Sequence, residues 1–526
     1  MGEQGSPAVG LVDLGSNSVR LLVFRINPNK SYLVLTRYKQ MVRLGEGSFA
    51  SRRLSENAMS RTIEALKGMA EICRGYDVSD IAAYATAAVR DAANGGEFCE
   101  RAWRESGIRL SVISGLEEAR LIHLGVSAGL SEPYRSALFA DIGGGSTEVI
   151  VGKGKERLHL DSLKLGCVRI ASVFPEISGP GPVPFALYED IRVHVRNSSL
   201  RGIYRIRELA PDIMVGSSGT IQNLAEIASK DAKNLQNRTQ DAVFSKESLD
   251  DVVRKLCAMS LEDRRKMPGI NPQRADIIIA GAAILQTLME ETRIPEIRVS
   301  SRGLLDGMLL DYLARGKFGY LDESMPAREH SVLQLARSCA CSERHTRWVA
   351  RLAAGMFDSA GDIGLHSYGK KERELLEFSA LLHDIGLFLS FDDHHTHSRY
   401  MIRNSEMLGF NQREIDVMAN AAYFHRKWSE KKNRFDQYYN SMDREDRRLA
   451  RTLGAFLRLG EGLDRSQQQT VTSARFSRTG RGRLRLVLAL SRPSPIEIYS
   501  AERAAGQFRK VFGAVYSIAA GADPLR

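Results

Sequence analysis

Two short stretches of this 526-residue sequence gather residue types that handle phosphate. The first is Phe139-Ala140-Asp141-Ile142-Gly143-Gly144-Gly145-Ser146-Thr147-Glu148, an apolar run that enters an aspartate, three glycines, a hydroxyl pair and a glutamate. Glycines let a backbone approach an anion closely, because no Cβ intervenes and positive φ is open to them. Successive N–H groups in such a turn form an anion-binding nest. The carboxylates at its ends, Asp141 and Glu148, suit a hard divalent cation that bridges to phosphate oxygens. Alone, this pattern is equally that of a plain hairpin. A second copy changes the weighting. Val12-Asp13-Leu14-Gly15-Ser16-Asn17-Ser18 also runs apolar, then Asp, Gly and polar side chains, then apolar again from Val19 to Phe24. Two strand–Asp–Gly–hydroxyl hairpins predict a duplicated fold facing one phosphate-filled cleft.

Other residues could act in that cleft. Ser114-Gly115-Leu116-Glu117-Glu118 precedes an apolar helical run. Ser114 suits the N-cap and Glu117 the capping-box position three residues on. Glu118 then has no structural task, and a carboxylate at that helix start can activate water for attack on a phosphoryl group. Arg90 follows the short strand Ile81–Ala85 near a helix start, where anions are favoured. Gly216-Ser217-Ser218-Gly219-Thr220 leads from an apolar strand into a helix, and such a junction presents free N–H groups. Further on, His345, His383-Asp384, His394, His395, His397, His425 and Asp464 are spread over helical sequence. His/Asp sets of this kind suit a divalent metal in a helical pocket, and equally serve as core histidines and helix-end carboxylates.

The elements that must position these groups follow from periodicity. Residues 9–25 read as strand, turn and strand, and 31–44 continue the sheet. Ser55–Arg74 reads as a capped helix with Met59, Ile63, Leu66, Met69 and Ile72 on one face. Asp276–Met289 reads as an apolar helix, Ile297–Ser300 as a strand, and Ala501–Phe512 as the closing helix. At Arg481-Gly482-Arg483-Leu484-Arg485-Leu486, alternation predicts a strand with arginines on one face and leucines on the other. Length alone predicts roughly three or four domains.

Composition sets bounds. The chain is 43% hydrophobic and 26% charged, which is ordinary globular protein and not a disordered chain. Its N-terminus lacks the pattern of a signal peptide, and no apolar run reaches the ~20 residues of a membrane span. Six scattered cysteines predict reduced thiols and a cytoplasmic setting. The net charge is +11, and residues 465–526 hold 11 Lys/Arg against 3 Asp/Glu. That basic tail points to a polyanionic partner, or to a solvated face that aids solubility.

Together these blocks resemble the exopolyphosphatase and guanosine pentaphosphate phosphohydrolase (Ppx/GppA) family, in its long form. The likeness rests on 13–18, Thr86…Arg90…Asn94, 114–120, 141–148, 216–220 and Arg302-Gly303-Leu304. It implies an α/β, actin-like and sugar-kinase-like (ribonuclease H-like) fold of duplicated βα domains. An all-α HD-like domain and a small α+β C-terminal domain would follow. The expected boundaries are 1–130, with 305–318 returning to it, then 131–304, 319–468 and 469–526. The resemblance implies Glu118 as catalytic base, and Ser16, Asn17, Ser18, Arg90, Gly144, Gly145, Ser146, Ser218, Gly219 and Thr220 as phosphate binders. It implies Asp13, Asp141 and Glu148 at a Mg2+ site, which Mn2+ would also suit. His345, His383, Asp384 and Asp464 stand in the order of an HD metal site. Ala87 and Asp306 depart from the family pattern, where a hydroxyl and a glutamate are usual.

The implied activity is exopolyphosphatase, releasing phosphate processively from inorganic polyphosphate, with the basic tail holding the chain. The nearest alternative is a pppGpp phosphohydrolase. A regulator that senses polyphosphate, pppGpp or ppGpp without turnover is disfavoured by the intact acidic residues. A sugar or acetate kinase is disfavoured by the Glu118 block. Long-form relatives are commonly homodimers, and no membrane association is expected.

Overall fold

The computed structural model describes residues 7–130, 134, 136–154, 156–228, 242–315, 326–405, 407–426, 437–480 and 483–522. It divides into one unit of residues 1–28 and 32–322, and a second of 29–31 and 323–526. The expected boundaries at 130/131 and 318/319 border or fall on residues outside this description, as does Arg481. Among the described residues, no helix is long and apolar enough to cross a membrane.

The first unit holds two sheets of the same plan. In one, β1 (Ala8–Leu14), β2 (Ser18–Ile26), β3 (Tyr32–Met41), β4 (Val78–Ala85) and β5 (Leu110–Val112) are ordered β3-β2-β1-β4-β5. β1 pairs antiparallel with β2 and parallel with β4. The other is built from β6 (Ala137–Ile142), β7 (Thr147–Lys153), β8 (Glu156–Leu163), β9 (Ile213–Ser217), β10 (Val243–Ser245) and β11 (Glu296–Val299), ordered β10-β11-β9-β6-β7-β8. Here β6 pairs antiparallel with β7 and parallel with β9. The first strand of each half is therefore central, flanked by its hairpin partner and by a parallel crossover strand. This is the actin-like duplication.

Burial on both faces explains why these central strands read as unbroken apolar runs. Every residue of β1 is buried. Val12 and Leu14 join the core of the first half. Val9 and Leu11 join a core shared with Ala137 and Phe139 of β6. That shared layer also takes Leu121 and Ile122 of a helix, and Met308 and Leu309 of another.

The helices of this unit include α1 (Glu56–Gly75), α2 (Gly115–Ser127), α3 (Gly219–Ala228), α4 (Ile278–Thr292) and α5 (Leu304–Arg315). Ser55 caps α1 by accepting from Ala58 N, an interaction typically worth ~1 kcal/mol. Ser114 caps α2 by accepting from Glu117 N at 3.1 Å. The Glu117 carboxylate is engaged by Arg120, with Nε at 2.7 Å and Nη2 at 2.8 Å, and Arg120 also reaches Asp311.

The second unit is a helical body joined to a three-stranded sheet. Its helices include α6 (Glu343–Asp362), α7 (Lys370–Leu382), α8 (His394–Asn404), α9 (Gln412–Phe424), α10 (Arg444–Gly462) and α11 (Pro495–Phe512). The strands β12 (Val471–Gly480), β13 (Arg483–Leu490) and β14 (Val515–Ala522) lie in that order. Leu484, Leu486 and Leu488 of β13 join the same apolar core as Phe357, Phe456 and Phe508. The helical segment and the C-terminal segment, read as separate from the sequence, thus share one core. The helix expected to close the chain is followed by β14, which pairs parallel with β13.

Candidate active site

The two glycine-containing turns have the same hydrogen bond. Gly15 N–H donates to Ser18 O at 3.0 Å, and Gly143 N–H donates to Ser146 O at 2.9 Å. The turns also touch. A Cβ on Gly145 would sit 2.5 Å from Phe49 Cζ, 2.6 Å from Ser16 Oγ and 2.8 Å from Ala87 Cβ. None of Gly143, Gly144 and Gly145 takes a positive φ, so these positions require space and not left-handed backbone. In the third turn the strained residue is Ser218, at φ 94°. A non-glycine residue held there costs about 1–3 kcal/mol, and such strain clusters at ligand-binding turns.

These turns line a cavity of about 360 Å³. Its wall includes Asp13, Ser16, Asn17, Ser18, Glu118, Asp141, Gly143 to Ser146, and Ser218 to Thr220. Strand register places the acids. Asp13 stands opposite Arg20, which stands opposite Lys39 on the next strand. Asp141 stands opposite Glu148, which stands opposite Ser162, and Ser217 Oγ donates to Asp141 Oδ2 at 2.5 Å. Burial raises the pKa of both Asp13 and Asp141, and the Asp141 charge raises Asp13 further.

Glu118 sits in the first turn of α2, buried, with Arg90 Nη1 at 3.0 Å from its Oε2. Burial pushes its pKa up to about 7, against the opposing pull of Arg90. Such a carboxylate is half-charged near neutrality and suits proton transfer from water. Ser16 Oγ and Asn17 Oδ1 are buried without a hydrogen-bond partner among the described residues. Buried polar atoms are rarely left so, and orphans on a cavity wall point to a ligand.

Two expected site residues stand elsewhere. Arg90 is not on the cavity wall: its guanidinium is held by Glu118 and by Ile113 O at 2.9 Å. Glu148 also lies off the wall, buried, where it accepts from Ser162 Oγ at 2.8 Å. Burial and the Glu118 charge hold its pKa well above the usual range. The wall holds Arg302 and also basic residues that sequence reasoning missed, among them Arg20, Lys39 and Arg274. Arg274 is buried, and its guanidinium packs where a Cβ on Gly219 would be, 2.7 Å from Nη1. Burial, with the charges of Arg20 and Arg274, lowers Lys39 to about 8. The signal for Arg20 was available, since it interrupts the apolar run of β2 at the position facing Asp13.

A divalent cation fits here. Buried carboxylates that raise one another's pKa are relieved by positive charge, and Mg2+ binds through one or two carboxylates plus substrate phosphates and water. Asp13 and Asp141, both on the wall, fit that role.

In the second unit, four imidazoles surround one carboxylate. The Nε2 atoms of His345, His383, His394 and His425 lie 4.0, 3.5, 3.5 and 4.0 Å from an oxygen of Asp384. Asp464 stands behind His345, with Oδ2 2.8 Å from its Nδ1, and also accepts from Gln469 N at 2.8 Å. His395 and His397 lie outside the two three-residue groups that this cluster forms.

The duplicated sheets, with their glycine-containing turns and Glu118 on one cavity wall, define an actin-like fold. The sequence matches the Ppx/GppA phosphatase family over residues 22–316, and Ppx/GppA phosphatase domain III over 327–492. The chain belongs to the Ppx/GppA phosphatase family. It is similar to a solved exopolyphosphatase from Cytophaga hutchinsonii, at 26% identity over 59% of this chain and 99% of that one, with a TM-score of 0.55. An exopolyphosphatase-like protein matches at 26% identity over 59% and 99% of the two chains, with a TM-score of 0.52. The Aquifex aeolicus family member matches at 26% identity over 59% and 98%, with a TM-score of 0.48.

Proposed function

We propose that this chain is an exopolyphosphatase that removes the terminal phosphoryl group of inorganic polyphosphate. One observation carries the reading: Arg20, Lys39 and Arg274 share the cavity with Glu118, and their mutual repulsion calls for a multiply charged anion. Likeness to a solved exopolyphosphatase supports it.

The terminal phosphoryl group enters between the two hairpin turns. Backbone N–H groups of 144–146 and 218–220 donate to its non-bridging oxygens, and the unpartnered Ser16 and Asn17 side chains complete the cradle. Preorganised donors of this kind supply most transition-state stabilisation in phosphoryl transfer. Asp13 and Asp141 would hold Mg2+, which would supply further neutralisation of phosphate charge. Glu118 takes a proton from water as the water oxygen bonds to phosphorus and the bridging P–O bond breaks. The products are orthophosphate and a chain shortened by one unit. That leaving chain is a weak base, so no strong general acid is needed. Arg90 orients Glu118 by holding Oε2, which leaves Oε1 for the water.

The outward face of the C-terminal sheet carries exposed Arg475, Arg483 and Arg485. This face retains the remainder of a long chain between cleavages. The test is phosphate release by purified protein with Mg2+ from long-chain polyphosphate and from pppGpp, side by side. Faster release from polyphosphate supports the proposal. Faster release from pppGpp overturns it in favour of an alarmone phosphatase, and release from neither overturns both.

A further inference from the structure

The histidine cluster of the second unit is remote in sequence from every residue of the cleft, and the proposed reaction does not use it. Its hydrogen bonding has a direction. His383 Nδ1 lies 2.7 Å from Ala380 O, and His425 Nδ1 lies 2.5 Å from Ala422 O. His345 Nδ1 is held by Asp464, and His394 Nδ1 lies 2.9 Å from Phe391 O. Carbonyl and carboxylate oxygens only accept, so the contacts of His345, His383 and His425 put the ring proton on Nδ1 and leave a bare lone pair on Nε2. Those Nε2 atoms converge on Asp384, itself an acceptor. His383 Nε2 is buried with no hydrogen-bond partner among the described residues. His394 and His425 Nε2 face each other at 3.3 Å.

Lone pairs packed in this way repel unless a cation lies between them. The spacing agrees with one. Bonds of about 2.0–2.1 Å to a tetrahedral ion set its ligand atoms roughly 3.3 Å apart. The four residues form two groups that share Asp384: His345 with His383, and His394 with His425, with all ligand atoms of a group within 4.8 Å. Imidazole-rich sets with one carboxylate favour transition metals such as zinc, iron or cobalt over magnesium. The contact of Asp464 with His345 is the kind of outer hydrogen bond that fixes a metal-ligating imidazole.

We propose that the second unit binds two divalent transition-metal ions bridged by the Asp384 carboxylate, one held by His345 and His383 and the other by His394 and His425. Asp464 is a positioning residue for His345. One contact opposes the second ion. Arg426 Nη1 lies 2.7 Å from His394 Nδ1 and can only donate, which favours the proton on Nε2. Loading that half therefore requires Arg426 to release Nδ1 to Phe391 O, so the second ion binds more weakly than the first.

The experiment uses the full chain, stripped with chelator and titrated with Co2+ and then Zn2+. Bound metal after gel filtration is measured by mass spectrometry, and d–d absorption reports Co2+ geometry. Two ions per chain beyond any held in the cleft are expected, in a tight and a weaker step, with a rise in Tm. Asp13→Asn removes cleft binding and should leave both ions in place. Asp384→Ala should lose both. His425→Gln should lose only the weaker step, and it serves if Asp384→Ala fails to fold. Arg426→Ala should tighten the weaker step. Asp13→Asn chain that retains no metal or a single ion, or Asp384→Ala that keeps both second-unit ions, would overturn the proposal.

Discussion

Arg90 Nη1 lies 3.0 Å from Glu118 Oε2 and 2.9 Å from Ile113 O, so the arginine is fixed to the end of a strand while it holds the carboxylate at the start of α2. Burial raises the Glu118 pKa and Arg90 opposes that rise. The pair sets both where the carboxylate points and when it is charged.

A pH dependence follows. Glu118 acts when deprotonated, so kcat/KM should climb through an ionisation near pH 7 and fall again as Lys39 loses its charge near pH 8. Glu118→Gln should lower kcat by ~10²–10⁴ and abolish the rising limb, with little effect on binding. Arg90→Ala removes the opposing charge and should move the rising limb to higher pH by about one unit. Steady-state kinetics across pH 5–9 would measure this, and an unmoved limb would separate Arg90 from Glu118.

The cavity's cations should govern affinity more than turnover. Lys39→Gln and Arg274→Gln each remove a charge facing the substrate. Each should raise KM for polyphosphate by ~10-fold, about 1.4 kcal/mol, with a smaller fall in kcat. A kcat effect larger than the KM effect would place these residues on the reacting oxygens instead.

Stability should depend on cation and pH together. The folded-state pKa values of Asp13, Asp141, Glu118 and Glu148 are all raised. The contribution of these protonated groups is complete below their unfolded values near 4 and is lost as pH rises through the folded values. Mg2+ relieves the charges that form, so its effect on Tm should be larger at pH 8 than at pH 5. Calorimetry with and without Mg2+ tests this, and an equal gain at both pH values would remove the carboxylates from the metal site.

Gly145→Ala places a Cβ 2.5 Å from Phe49 Cζ and 2.6 Å from Ser16 Oγ. Overpacking of this kind costs ~1–3 kcal/mol, read as a lower denaturation midpoint. Because the push falls on Ser16, phosphate affinity should fall as well. Loss of stability alone would mean that the turn absorbs the methyl without moving the cradle.

The basic face of β12 and β13 should act on long chains only. Arg475→Ser with Arg485→Ser should reduce processivity and the salt dependence of long-chain binding, by analogy with counterion release from other linear polyanions. Hydrolysis of short oligophosphates should be unchanged. Both side chains are exposed, so folding is spared, whereas removing 470–526 would strip Phe476, Leu486 and Phe508 from the shared core.

Local signals in the sequence reach only as far as their own neighbours. The hairpins at 13–18 and 141–148, the Ser55 and Ser114 caps and the leucine face of β13 all declare themselves within a few residues, because turn chemistry, capping and strand alternation are local effects. β14 lies beyond the helix expected to close the chain, and its pairing with the distant β13 makes 515–522 a strand.

The duplicated fold, the acids and hydroxyls in its turns, and the lack of a capping task for Glu118 are all legible in the sequence alone. Which of those residues share a cavity depends on the folded chain. Strand register brought Arg20 and Lys39 into line with Asp13, and chain crossover brought Arg274 against Gly219. It drew Arg90 away from the wall to Glu118, and gathered His394 and His425 around Asp384. Charge interactions act through space at a few ångströms, over separations along the chain that no local pattern encodes.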